Sequence, residues 1–318
     1  MKIREGVRVL VFLAPLVAAC TGSRTNTVGP GPIPGQPPPN QPPPPPSYVV
    51  TLVGAGDIAD CAAESGSHAQ ATARLVQKIG GMVFTAGDNA YFDATAAELN
   101  NCYGPRWGPF RNQTYPSPGN HEYQVSAMPY FDYFGDRAGP RGAGFYSYDL
   151  GNWHIISLNS GAGNVAVGPG QEQYVWLQRD LEANKRVNLG KCNLAYWHHP
   201  LFTSGPSAGS NAIMRSTWSL LYDYGVDVVI NGHDHLYERF AAQDANGRRD
   251  NFGIQEYVVG TGGAPLYEFG PILPNSVYRN NRVYGVLKLT LRDVGWDSVF
   301  IEAGTEAMLD LSMNNLCH

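Results

Sequence analysis

VVINGHDHLY, residues 228–237, decides the fold. Val228, Val229 and Ile230 make an apolar run of the kind that forms a buried strand, and Asn231-Gly232 turns the chain. Two histidines, His233 and His235, then follow two residues apart, in a chain that holds eight. One such pair is ordinary in a polar loop beside a core. Its meaning depends on whether other strands end in the same way.

Other strands do. YVVTLVGAGD (48–57) is an apolar strand running into Asp57, and MVFTAGDNAY (82–91) runs into Asp88, Asn89 and Tyr91. CNLAYWHHP (192–200) ends in His198 and His199. Amphipathic patterns at 67–79, closed by Gly80-Gly81, at 171–185 and at 211–223 predict helices between them. NWHIISLNS (152–160) reads as a further strand in which His154 is a structural residue. In the tail, IQEYVVGTGG, NRVYGVLKLTLRD and WDSVFIEA read as antiparallel strands.

Alternating strands and helices imply parallel pairing, and the β-rich tail implies a mixed or second sheet, so the fold class is α/β (α+β). Ligands in such folds collect beyond the carboxyl ends of the strands. Asp57, Asp88, His198 and His233 are all expected there. Asn120-His121 lies in an irregular loop after Ser117-Pro118-Gly119, within reach if that loop folds over the edge. GD and GN dipeptides are common turns, and each cluster alone is a weak signal. Five clusters in this order, holding five of the eight histidines, are hard to explain as loops.

The rest of the chain sets boundaries. Residues 1–20, MKIREGVRVLVFLAPLVAAC, place Lys2, Arg4 and Arg8 around Glu5 ahead of an apolar stretch too short to span a bilayer, the layout of a secretory leader. Val17-Ala18-Ala19-Cys20 resembles the lipobox of bacterial lipoproteins. The expectation is an exported protein of a bacterial cell envelope, held to the membrane by a lipid anchor at Cys20. Residues 21–47 are dominated by proline and read as an extended tether. Residues 48–318 are the expected size of one large α/β domain.

Of five cysteines, four remain after Cys20, and they allow three pairings. Cys61–Cys102 with Cys192–Cys317 is the expected one, and without a CxxC pair a structural zinc site is not expected. Net charge is −5, and removing the leader, with three basic residues and one acid, leaves −7. No basic run follows Arg8, so duplex nucleic acid is a poor partner. Gly205-Pro206-Ser207-Ala208-Gly209 fits GxSxG, but no strand leads into Ser207 as a serine nucleophile requires.

The ordered series GDIA, GDNAY, GNHE, AYWH and GHDH resembles the purple acid phosphatase branch of the calcineurin-like metallophosphoesterases, over about Val50 to Arg239. The resemblance implies a four-layer sandwich, two mixed β-sheets flanked by helices. It also implies two metal ions: Asp57, Tyr91 and His235 on the first, Asn120, His198 and His233 on the second, and Asp88 bridging. Carboxylates, imidazoles and an amide oxygen without thiolate suit iron, zinc or manganese. A phenolate from Tyr91 favours Fe(III) in the first site beside a divalent ion (Fe, Zn or Mn) in the second. Ala59 stands where this branch has glycine and the wider superfamily a histidine ligand, which agrees with Tyr91 filling that position. Ala195 replaces a strand valine and leaves His198 in place.

The implied chemistry is hydrolysis of a phosphate ester by metal-activated water, most simply an acid-phosphatase-like monoesterase. His121 is expected to contact the phosphate or protonate the leaving group, and His199 to contact substrate or support a ligand, against a plain surface reading. Glu122 and Asp234 are expected behind the ligands or in solvent, and Tyr237-Glu238-Arg239 in a structural role. A phosphodiesterase or nucleotidase on the same metals is the near alternative. A catalytically silent surface binding module is the alternative of another class.

Overall fold

A computed structural model describes residues 48–61, 63–161, 163–187 and 190–318. The chain divides into two units, Met1–Pro46 and Ser47–His318, and the described residues all belong to the second. The leader, Cys20 and the proline-rich tether lie outside the described residues.

The strands are β1 (Val50–Ala55), β2 (Met82–Ala86), β3 (Thr114–Ser117), β4 (Tyr146–Leu150), β5 (Trp153–Ser157), β6 (Cys192–Tyr196), β7 (Val228–Asn231), β8 (Tyr237–Phe240), β9 (Gln255–Val259), β10 (Ser276–Asn280), β11 (Gly285–Arg292), β12 (Gly295–Glu302) and β13 (Met308–Leu316). The helices are α1 (Ala63–Ile79), α2 (Ala96–Glu98), α3 (Met128–Phe134), α4 (Glu172–Val187) and α5 (Arg215–Asp223). One sheet runs β13-β12-β11-β1-β2-β3 and the other β10-β8-β9-β7-β6-β5-β4, and both are mixed.

The sheets face each other across the largest apolar cluster, which draws on both. Tyr237 stacks on Phe300 with ring centroids 4.0 Å apart, and Phe84 meets Tyr196 at 5.9 Å, each pair crossing between sheets. A second cluster on the outer face of β5, β6 and β7 takes Leu177 and Leu181 from α4 and Trp218 and Leu221 from α5. Helix α1 packs on β1 and β11. Central strands covered on both faces explain why β5, β6 and β7 are buried at every residue and read as unbroken apolar runs. The expected four-layer sandwich is the observed one.

Two pairs of parallel strands position the site. β1 runs parallel to β2, and β6 to β7, so all four deliver their carboxyl ends to one rim. The segments leaving that rim are stitched together: Gly56 N–H donates to Val259 O of the other sheet at 2.8 Å, and within each sheet Asp57 N–H donates to Gly87 O at 3.1 Å and Gly232 N–H to His198 O at 2.9 Å.

The strands stop earlier than the sequence suggests. β1 and β2 end at Ala55 and Ala86, short of Asp57 and Asp88, because those two residues have φ of 60° and 50°, which no strand accommodates. Helix α1 begins at Ala63 instead of 67. The expected disulfides, Cys61–Cys102 and Cys192–Cys317, are both present, with Cα–Cα spans of 5.1 and 5.5 Å. His154 is structural, set between Asp149 Oδ1 at 3.0 Å and Asp180 Oδ2 at 2.8 Å. So are Tyr237 and Arg239: both bond Asp310 of β13, Arg239 through two nitrogens at 2.7 and 2.8 Å, and so tie one sheet to the other.

Candidate metal centre

The seven side chains expected as ligands meet at the shared rim in two groups. In the first, Tyr91 Oη lies 2.9 Å from Asp57 Oδ1 and 3.1 Å from His235 Nε2, and His235 Nε2 lies 3.2 Å from Asp57 Oδ1. In the second, Asn120 Oδ1 lies 3.0 Å from His198 Nε2 and 3.1 Å from His233 Nδ1, and the two histidine nitrogens are 3.2 Å apart. Asp88 Oδ2 touches both groups, 3.3 Å from Tyr91 Oη and 3.1 Å from His198 Nε2.

Those spacings carry information. Adjacent ligands at about 2.1 Å from one ion, at right angles to each other, stand roughly 3 Å apart. The protons agree. His198 Nδ1 lies 2.8 Å from Ala86 O and His235 Nδ1 lies 2.8 Å from Pro265 O. A carbonyl only accepts, so both Nδ1 atoms carry hydrogen, and in the neutral ring each Nε2 turns its lone pair toward the cluster. There it meets carboxylate and amide oxygens that also accept. Such a cluster coheres only around a cation, whether a proton on one imidazole or a metal ion.

The electrostatics agree. Burial opposes a charged His198, but the Asp88 carboxylate outweighs it and holds the imidazole up at about 10. Burial likewise opposes the charge on Asp88, and His198 and then His121 hold it below the usual carboxylate range. His233 is pushed down to about 4, first by burial and then by His198. Two carboxylates, a phenol, an amide oxygen and three imidazoles without thiol suit hard and borderline divalent or trivalent ions. The residues present fit a pair of metals.

The backbone is shaped to the same end. Asp57, Asp88 and His233 have φ of 60°, 50° and 70°, a conformation non-glycine residues adopt at a cost of order 1–3 kcal/mol each and which clusters at functional sites. The glycine of GNHE permits a close approach: a Cβ on Gly119 would lie 2.1 Å from Asp88 Oδ1. Glu122 of the same motif is fully buried. It accepts from the amides of Gly119 at 2.6 Å, Asn89 at 2.8 Å and Asp88 at 3.1 Å, joining the loop that carries Asn120 to the loop that carries Asp88. Asp234 is equally buried and accepts from Thr203 Oγ1 at 2.6 Å and Ser207 Oγ at 3.0 Å. The solvated alternative for these two acids is thus corrected: both are internal struts. The Ser207 hydroxyl donates to Asp234, so it has no histidine as hydrogen-bond partner among the described residues, and no strand leads into it.

His121 donates its amide to Asp88 Oδ1 at 2.9 Å, and its Nε2 lies 3.7 Å from Asp88 Oδ2. Its Nδ1 meets the carbonyl of Phe92, which makes that nitrogen the proton carrier. His199 is not a surface residue. It is 8% exposed, bonds Ser160 Oγ through Nδ1 at 2.7 Å, and packs its ring 4.3 Å from that of His233. Burial, then His198 and His233, push it down to about 2, so it is neutral.

A cavity of about 400 Å³ opens over these groups, lined by Asp88, Asn120, His121, Pro206, Ser207, His233, Asp234, His235 and Tyr267. His199 is not in that lining. Sequence reasoning missed Tyr267, which arrives from the irregular segment after β9, as well as Ser160 and the Pro265 carbonyl that orients His235.

Comparison with known proteins agrees with this geometry. The sequence profile of the calcineurin-like phosphoesterase family matches residues 49–237. Purple acid phosphatase 15 of Arabidopsis thaliana is 32% identical over 184 residues, covering 52% of this chain and 34% of that protein. Acid phosphatase type 7 of Homo sapiens is 31% identical over 159 residues, covering 42% and 35%. The matched segment thus spans about a third of the length of these curated relatives. Among solved structures, purple acid phosphatase PPD1 from yellow lupin (Lupinus luteus) seeds superposes with a TM-score of 0.66 at 22% identity, over 83% of this chain and 53% of that one. GAP50, described as the anchor in the inner membrane complex of Plasmodium, superposes at 0.67 with 14% identity, over 85% and 90%. Both superpositions establish the fold.

Proposed function

The chain belongs to the calcineurin-like phosphoesterase family, and on that premise we propose that it hydrolyses phosphate monoesters at a two-metal centre, in the manner of a purple acid phosphatase. The observation that supports this most is the sharing of Asp88 Oδ2 between two groups of inward-facing acceptors about 3 Å apart. Asp57, Tyr91 and His235 would hold one ion, Asn120, His198 and His233 the other, and Asp88 would bridge.

The buried phenol of Tyr91 is held well above its usual range by burial and by Asp57 and Asp88. A trivalent ion is the best partner for its phenolate, so Fe(III) is proposed in the first site and a divalent ion in the second. When bound, such a pair clamps phosphoryl oxygens and brings a water near neutral pKa. Asp57, Asp88 and the Tyr91 phenolate carry three negative charges against the ions, leaving a centre positive enough to draw a phosphate dianion into an acidic protein.

The chain's own residues do the rest. His121 lines the cavity beside Asp88 with Nδ1 committed to the Phe92 carbonyl. Protonated, it presents an Nε2–H to the leaving oxygen, help typically worth about 10²–10⁴-fold in rate. His199, fixed by Ser160, buttresses the ring of His233. Asp234 pins Ser207 and so shapes the cavity wall.

The test is hydrolysis of phenyl phosphate by purified protein, after metal removal and after restoration, with metal analysis in parallel. Activity that tracks close to two metals per chain is expected. A metal-loaded protein without turnover would favour a silent binding module, and turnover restricted to diesters or nucleotides would move the substrate class.

A further inference from the structure

The cavity over the metal centre has an uneven wall. Among its described lining residues there is no arginine or lysine. A substrate bearing charge beyond its one transferred phosphoryl group therefore finds no permanent side-chain cation to pair with, while Asp88 and Asp234 stand in the wall. What the wall does offer is an aromatic face. Tyr267 stacks on the imidazole of His235, with ring centroids 4.0 Å apart and planes 13° from parallel. Its amide donates to His235 O at 2.8 Å, fixing its height above the site. The residue is still 39% exposed, and its hydroxyl makes no hydrogen bond among the described residues. A second aromatic, Phe92, is 65% exposed and follows directly after Tyr91, with its carbonyl on His121. Of the two, Tyr267 is the one in the cavity lining, so its ring is the aromatic surface a bound ester can meet.

We infer that Tyr267 selects the leaving group: the site takes phosphate monoesters whose leaving group is flat and uncharged, seated on the Tyr267 ring, and disfavours polyanions such as pyrophosphate. This deepens the proposed phosphatase reading and rests on it. One ring face is already spent on His235, so the open face and edge are what a substrate ring meets. Aromatic pairing of this kind carries roughly 0.5–1.5 kcal/mol, or about 2- to 12-fold in affinity.

The experiment compares phenyl phosphate, glycerol 2-phosphate and pyrophosphate with the metal-loaded full chain, as wild type, Tyr267→Ala and Tyr267→Phe. The wild type should rank phenyl phosphate first and pyrophosphate last in kcat/KM. Tyr267→Ala should lower the ratio of phenyl to glycerol phosphate by about 3- to 10-fold, chiefly through KM. Tyr267→Phe should hold that ratio within about two-fold, since the ring is what acts. A wild type that prefers pyrophosphate, or an unchanged ratio in Tyr267→Ala at unchanged metal content, would overturn the inference. If no ester turns over, binding of phenylphosphonate against methylphosphonate by calorimetry still decides it. A phenyl preference lost in Tyr267→Ala upholds the aromatic seat and sinks only the phosphatase reading; no phenyl preference sinks the seat.

Discussion

His198 Nε2 lies 3.0 Å from Asn120 Oδ1 while its Nδ1 is spent on the Ala86 carbonyl. The pair comes from distant parts of the chain, and neither group alone can satisfy the other together with Asp88 and His233. A proton on Nε2 satisfies one neighbour; a metal ion satisfies all of them at once. Asn120→Ala should therefore drop metal content from about two toward one per chain and lower phosphatase activity by at least about 100-fold, more than loss of an outer support typically costs. Circular dichroism should be unchanged, because Asn120 is not part of the apolar core. Full metal content and turnover in the variant would remove the second site as assigned.

Tyr91 separates an iron-bearing centre from a colourless one. Its hydroxyl makes the polar contacts to Asp57, Asp88 and His235, while the ring packs 4.5 Å from His121 and edge-on to His235 at 5.9 Å. Tyr91→Phe keeps the ring and should abolish a visible absorption band from tyrosinate to Fe(III). Purified wild type is expected to be coloured. A fully active, colourless di-zinc protein would end the iron assignment and leave the fold untouched.

How much of this was legible in the sequence follows from where each residue sits. Asp57, Asp88, His198 and His233 leave the carboxyl ends of parallel apolar strands, which short unbroken apolar runs reveal. Strand β3 is only TYPS, and β10 and β13 are polar SVYRN and MLDLSMNNL, so no apolar run announces them. Tyr267 is hardest: it reaches His235 through tertiary folding of a segment without strand or helix, and no spacing encodes that contact. The burial of Glu122 and Asp234 was similarly hidden, since an acid beside a ligand reads as solvated until the loops around it are placed.

Glu122 offers the sharpest test of loop stitching. Its carboxylate accepts from three backbone amides, those of Asp88, Asn89 and Gly119, and from the side-chain amide of Asn89. In Glu122→Gln one oxygen becomes an NH₂ that must face an amide N–H, two donors in opposition. Metal affinity should fall about 10- to 100-fold, the usual effect of losing a support behind the ligands. Titration with a competing chelator measures it; wild-type affinity would show that Asp88 and Asn120 are held by other means.

The envelope anchor rests on the leader-like layout of residues 1–20 and on Val17-Ala18-Ala19-Cys20 at its end. We propose that Cys20 carries lipid and that the proline-rich residues 21–47 set the domain off the membrane. Cys20→Ser should move the protein from the detergent phase to the aqueous phase on fractionation. Continued partition with membranes would discredit the anchor without touching the catalytic reading.

His154 lies away from the metal centre, so its pH dependence reports on the scaffold. Its two nitrogens face Asp149 and Asp180, and Lys191 Nζ also reaches Asp149 at 2.9 Å. Burial works against a charged imidazole here, but the hydrogen bonds to Asp180 and Asp149 outweigh it and raise His154 above its ordinary value. A raised folded pKa means the imidazolium's contribution is complete below the unfolded value near 6.5 and is lost as pH rises through the folded one. Charge-assisted bonds of this sort contribute about 1.5–3 kcal/mol, and in a domain of this size each kcal/mol moves Tm by roughly 2–4 °C. His154→Gln should thus melt several degrees below wild type at pH 5.5, with the gap narrowing toward pH 9. Differential scanning calorimetry across that range decides the matter, and a gap constant with pH would show that His154 acts by packing, uncharged throughout.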